Sequence, residues 1–179
     1  MNRPMARKWV LRWLYAGAIG HVLVGALLPW LVDAALFEPY HRGIEAAFWP
    51  GADGAPAAAR AQQSWWIALF GPTVQSMALW MLALIRFGAR QRDGAAWGWL
   101  IAGLVLWAPQ DIAMSLRADC WPHVWLDCAA LLALLPPLVW LWLTERRARP
   151  AVEAAAKAAV KSANAARAPT LHVHPGDNP

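Results

Sequence analysis

Asp111, His123 and Asp127, with Gln110 beside the first, are the side chains whose types and spacing could do chemistry. His123 and Asp127 are four positions apart, so on a helix they share a face one turn from each other. An imidazole beside a carboxylate works as an acid/base pair or a proton relay. Two carboxylates at one depth can share a proton or bind a cation. The plainer reading is that His123, Arg117 and Gln110 neutralise and satisfy the two aspartates near a wet interface.

What brings the aspartates together is the pattern around them. Residues 95–116 and 122–143 are apolar runs joined by a short polar turn, Arg117-Ala118-Asp119-Cys120. Each run has about 20 residues, enough to cross a hydrocarbon layer of roughly 30 Å. Asp111 precedes the expected helix end at Leu116 by five positions, and Asp127 follows the expected start at Pro122 by five. At about 1.5 Å per residue, both sit roughly 7–8 Å below the same membrane surface. Charges at such depth are costly, which makes them functional candidates by default.

The whole chain carries the same signature. It is 59% hydrophobic and 15% charged, where soluble domains carry about 25% charged residues. Its 14 tryptophans suit rings anchored at membrane interfaces. Two further spans are expected, at 9–32 and 64–86. The first is too long for the 7–15-residue core of a signal peptide and is read as uncleaved. Between them, Leu36, Tyr40, Ile44 and Phe48 recur every four residues, Pro39 suits a first helical turn, and Pro50-Gly51 ends the pattern. This predicts an amphipathic helix over 39–49 lying on the membrane surface. Residues 51–60 read as a small-residue linker. Pro109 is expected to bend the third span, and Pro136-Pro137 to kink the fourth.

The expected architecture is therefore all-α: an integral membrane four-helix bundle over 9–145, after a basic segment at 1–8. An Ala-rich tail follows over 146–179. It opens on Arg146, Arg147 and Arg149, is helix-prone over 151–168, and is expected to be disordered from Pro169. The 16 basic residues divide unevenly between the two sides of such a bundle. With both termini inside, 13 lie on the inner side and only Arg42, Arg60 and Arg117 on the outer side. That bias predicts cytoplasmic termini. The net charge of +5 flanks apolar spans. No basic stripe interleaved with aromatics occurs on a soluble element, so no nucleic-acid partner is expected. Membrane lipid is the expected partner, with a membrane protein or a second copy of the chain as a further candidate.

A second polar layer is expected at mid-membrane. His21 is central in the first span, Gln75 in the second, and Trp107 near the centre of the third. Gly17, His21 and Gly25 form a four-residue stripe that allows close helix approach. A His21–Gln75 hydrogen bond between two helices is the simple expectation; the polar end of a lipid-accessible pocket is the sharper one. Cys120 and Cys128 lie in the outer half, where a thiol oxidase would need them. However, there is no Cys-x-x-Cys, and the predicted helix start separates them too far for easy bridging. His172 and His174 lie in the tail and do not make a metal site. No phosphate loop, His-Glu-x-x-His or Gly-x-Ser-x-Gly motif is present. No metal and no cofactor are expected.

The segments Glu38-Pro39-Tyr40-His41, Trp65 to Thr73 (WWIALFGPT), Trp107-Ala108-Pro109-Gln110-Asp111 and His123-Val124-Trp125-Leu126-Asp127 together resemble a group of short four-span proteins from Gram-negative bacteria. Some of these bear the label cell-division protein. The resemblance covers about residues 8–145 and implies an inner-membrane protein; it carries no catalytic residues across. The architecture is also analogous to four-span sterol-isomerase-like proteins, which hold acidic residues in a lipid-accessible pocket. Two functions follow as expectations. One is a non-enzymatic membrane protein acting through partner or lipid contacts in envelope or division processes. The other is a lipophile-handling protein or enzyme using Asp111, Asp127, His123 and His21 near the outer face.

Overall fold

The computed structural model describes residues 3–51, 54–92 and 94–167. The expected disordered segment from Pro169, with His172 and His174, lies outside the described residues. Among the described residues there are five α-helices: α1 (Arg3–Leu31), α2 (Glu38–Phe48), α3 (Ala57–Gln91), α4 (Gly94–Arg117) and α5 (Trp121–Arg167). A 3-10 turn, Ala35–Phe37, leads into α2. No strand occurs among the described residues.

Four of the helices are long and apolar enough to cross a membrane, over Pro4–Leu31, Ala57–Gln91, Gly94–Arg117 and Trp121–Arg147. Their outer surfaces support the same reading. Trp30 is 84% exposed, Leu132 76% and Trp80 73%. Aromatic and aliphatic surface on this scale does not persist in water and is what a lipid-facing helix presents. The chain is consistent with a multi-pass membrane protein. The helices overrun the spans read from the sequence. In particular, α5 continues to Arg167 with no break after Leu143, because the Ala-rich segment beyond the arginines has the highest intrinsic helix propensity.

The helices pack as two close pairs, α1 on α3 and α4 on α5, with α3·α4 and α1·α5 contacts joining the pairs. Leu14, Ala18, Ile85, Trp97, Leu100, Leu134, Leu138 and Leu141 form the shared core, drawn from all four. The α1–α3 crossing is set by backbone contact. A methyl group on Gly25 would stand 2.6 Å from the Gly71 carbonyl oxygen and 2.5 Å from the Gln75 nitrogen. Only glycine allows that approach, the small-residue packing that replaces the hydrophobic effect between helices in lipid.

Proline creates a second crossing contact. Pro137 has no N–H, so the carbonyl of Ala133, four residues earlier, loses its helical donor. The indole N–H of Trp13 on α1 supplies one across the interface, at 2.8 Å. An unmet carbonyl in the hydrocarbon layer would cost several kcal/mol by the usual transfer argument.

At the helix ends near the N-terminus, Glu145 of α5 is 6% exposed. It accepts from Arg7 Nε at 2.9 Å and from the Trp97 indole at 2.6 Å. Arg7 also donates to the Ala89 carbonyl at 3.1 Å. The Arg7–Glu145 pair thus ties together the start of α1, the end of α3, the start of α4 and the middle of α5. The N-terminal segment and the outgoing part of α5 therefore emerge at the same end of the helices.

Candidate functional site: a carboxylate–imidazole centre under α2

At the opposite end, the α4–α5 turn is built with little freedom. Asp119 takes the left-handed conformation at φ 52°. Cys120 N–H donates to the Ser115 carbonyl (2.9 Å) and Asp119 N–H to that of Leu116 (3.2 Å), the paired pattern of a Schellman stop. The Cys120 carbonyl then accepts from His123 N–H (3.2 Å) and Val124 N–H (3.3 Å), starting α5 at once. The turn therefore fixes the register of Asp111 against His123 and Asp127.

His123 Nε2 lies 3.4 Å from Asp111 Oδ2 and 3.9 Å from Asp127 Oδ2. One ligand-type atom from each of the three lies within 4.8 Å of the other two. Asp127 is 2% exposed, and its Oδ2 has no hydrogen-bond partner. Asp111 and His123 are about one-third exposed at their side chains, so the centre opens on one side.

The fourth member comes from α2. The Tyr40 hydroxyl lies 2.8 Å from His123 Nδ1. When Tyr40 donates to Nδ1, the neutral imidazole carries its proton on Nε2, facing both carboxylates. The sequence pattern puts Tyr40 on the apolar face of a helix lying on the membrane and misses this contact. In the structure α2 is seated on the helix ends as a lid. Gly43 rests on Pro122 of α5, where a Cβ would collide with the proline ring. The buried His41 hydrogen-bonds the Val32 carbonyl through Nε2 at 2.8 Å. A carbonyl can only accept, so Nε2 bears the proton and Nδ1 accepts from Gln63 Nε2 at 2.9 Å. Arg60 of α3 donates to Glu38 and Glu45, both at 2.7 Å. It holds the Glu38 carboxyl below its ordinary range, chiefly through the hydrogen bond. Ser64 donates to Asp33 at 2.6 Å.

Burial pushes Tyr40 up to about 12 from its ordinary 10, with the negative charges of Cys120, Asp127 and Asp111 adding to the effect. The folded protein thus keeps the phenol proton to higher pH than the unfolded chain does. The stability this contributes is complete below pH 10 and is lost as pH rises through about 12. Tyr15 and Tyr40 are the only tyrosines. In a Tyr15→Phe variant, the ultraviolet tyrosinate signal should therefore rise near pH 12, and a midpoint at the free-tyrosine value of about 10 would place Tyr40 in water.

The other sequence-predicted side chains make no hydrogen bond to this centre among the described residues. Gln110 donates back to the Leu106 carbonyl of its own helix. Arg117 lies 3.9 Å from the Met114 sulfur and makes no ion pair with either aspartate among the described residues. His123 alone faces both carboxylates, so the expected sharing of their charge with Arg117 and Gln110 is not what the structure contains. His21 donates through Nδ1 to the Gly17 carbonyl one turn back, at 2.7 Å. Gln75 packs at the Gly25 crossing, and the expected His21–Gln75 bond between helices does not form. Cys120 and Cys128 are both free. Burial raises Cys120 above the usual thiol range, the opposite of what a reactive thiolate needs.

Comparison of the chain with protein-family models, curated proteins and solved structures finds no match.

Proposed function

We propose that this chain is an inner-membrane bundle of a bacterium, with both termini in the cytoplasm. Its activity is to bind and process an amphiphilic or lipophilic molecule at the Asp111–His123–Asp127–Tyr40 centre near the outer face. One observation carries this reading: side chains from α2, α4 and α5 converge on one imidazole, and one of them, Asp127, is buried with an unsatisfied oxygen. A purely structural carboxylate at this position would be expected to have its hydrogen bonds met. The expectation of a protein acting through partner contacts alone draws on the lack of any catalytic grouping in the sequence, and this convergence weakens that support. The uneven placement of basic residues supports the orientation. A one-third exposed Asp111 near the outer face supports access for a molecule with a polar head and an apolar body.

The test is native mass spectrometry of the full chain in lipid nanodiscs, wild type beside Asp111→Asn/Asp127→Asn. Retention of a small molecule by the wild type and its loss in the double variant is the expected result. Equal retention in both, or a bare wild type, would sink the reading.

A further inference from the structure

The geometry points to a divalent transition-metal site of the zinc class, held by Asp111, His123 and Asp127. This deepens the reading above and rests on it. The first support is the donor set. Two carboxylates and a neutral imidazole carry a charge of −2, which a divalent cation cancels. Neutrality matters most at membrane depth, where uncompensated charge is costly. An imidazole with two carboxylates suits zinc and its first-row neighbours better than the all-oxygen shells preferred by calcium and magnesium.

The second support is spacing. Tetrahedral ligands at about 2.0–2.1 Å from zinc lie about 3.4 Å from one another. His123 Nε2 and Asp111 Oδ2 already stand 3.4 Å apart, and Asp127 Oδ2 is 3.9 Å from the same nitrogen. One oxygen of each carboxylate lies within 4.8 Å of the other, so closing the set to zinc's ligand spacing draws the aspartates toward the ion.

The third support is the unmet hydrogen-bonding capacity of one member. Asp127 Oδ2 is buried without a hydrogen-bond partner, in a side chain 3% exposed, and it lies 3.9 Å from His123 Nε2. A metal ion would satisfy it.

The fourth support is Tyr40. Ligating histidines are usually oriented by a hydrogen bond at their other ring nitrogen. With Nε2 on the metal, the proton moves to Nδ1, and the Tyr40 oxygen at 2.8 Å becomes its acceptor. Tyr40 is then a positioning residue acting through His123. Three protein ligands leave a further coordination position, as catalytic zinc sites do. It would face the exposed side of Asp111 and His123, where an amphiphile's oxygen or a water can enter.

The experiment uses the full chain in nanodiscs with His172→Ala/His174→Ala as background, so that the tail cannot contribute imidazoles. The protein is stripped with chelator and titrated with Co²⁺ alone, then with Zn²⁺. One Co²⁺ per chain is expected, with a visible ligand-field spectrum, no thiolate charge-transfer band, and displacement by Zn²⁺. Asp127→Asn and His123→Gln should weaken Co²⁺ binding by at least ~100-fold, and Tyr40→Phe by about 10–100-fold. Cys120→Ser/Cys128→Ser should leave it unchanged. No stoichiometric Co²⁺ spectrum, or one that survives Asp127→Asn, overturns the metal site. If a variant does not fold, the wild-type spectrum decides alone, since a featureless titration rejects the site without any variant. A wild type that retains a small molecule in the nanodisc experiment but binds no Co²⁺ would leave the binding centre standing and remove only the metal.

Discussion

Stripped of metal, Asp127→Asn should melt higher than the wild type, and the order should reverse when Zn²⁺ is added. The carboxylate oxygen of Asp127 is buried, unpartnered and close to a second carboxylate. A buried polar atom left unsatisfied costs about 1–3 kcal/mol, and like charges add to that. Asparagine keeps the shape, removes one negative charge and offers an N–H toward Asp111. A gain of about 1–3 kcal/mol corresponds to several degrees in melting temperature for a chain of this size. At the proposed metal site zinc reverses the order because it binds the folded wild type far more tightly than the variant. Ligand at 100 times its dissociation constant adds about 2.7 kcal/mol. Thermal melts of both proteins in chelator and in excess Zn²⁺ check this. A variant that melts lower in chelator would mean that Asp127 has a stabilising partner after all. Under the proposed function the same substitution should weaken retention of the bound small molecule, the usual trade when a functional group is held in an unfavourable place.

The second large effect is expected at the other end of the helices. Arg7→Ala should destabilise the protein by about 3–5 kcal/mol, the range for stripping a buried carboxylate of its counter-ion. Glu145→Gln should cost less. The amide oxygen introduced there can still accept from the Trp97 indole, and Arg7 keeps its bond to the Ala89 carbonyl with its side chain 22% exposed. The double variant should be less destabilised than the sum of the two, because the penalty in Arg7→Ala is the orphaned charge. Denaturant-induced unfolding in mixed micelles measures all three. Equal costs for the two single variants would show that the Glu145 charge reaches water.

The four membrane-length helices are legible because apolar blocks of this length stand out in a chain with so few charges. The hairpin geometry is legible too. A four-residue spacing puts His123 and Asp127 on one face, and counting back from the turn puts Asp111 at their depth. Tyr40 is not legible, since it is 83 residues from His123 and its four-residue periodicity reads equally well as lipid-facing. The docking of α2 depends on Gly43 meeting Pro122 and on Arg60 reaching Glu38 and Glu45, pairings that no local pattern encodes. His21 misleads for the same reason. A polar side chain inside a span must find an acceptor, but the periodicity does not say whether that acceptor is across the interface or one turn back on its own helix. Glu145 is hidden among the arginines of a stop-transfer cluster, where a charge is expected to be wet.

The indole of Trp13 and the Ala133 carbonyl it serves are 120 residues apart, and Arg7 and Glu145 are 138 apart. Both join the first membrane helix to the last. If the helices enter the bilayer in chain order, the indole of α1 has no partner until α5 arrives, and Arg7 holds only its bond to the Ala89 carbonyl of α3. The Ala133 carbonyl freed by Pro137 is the acceptor that completes the contact. Nascent chains cut before α5 should consequently remain bound by insertion factors or fall to quality-control proteases, while release marks the arrival of the final helix.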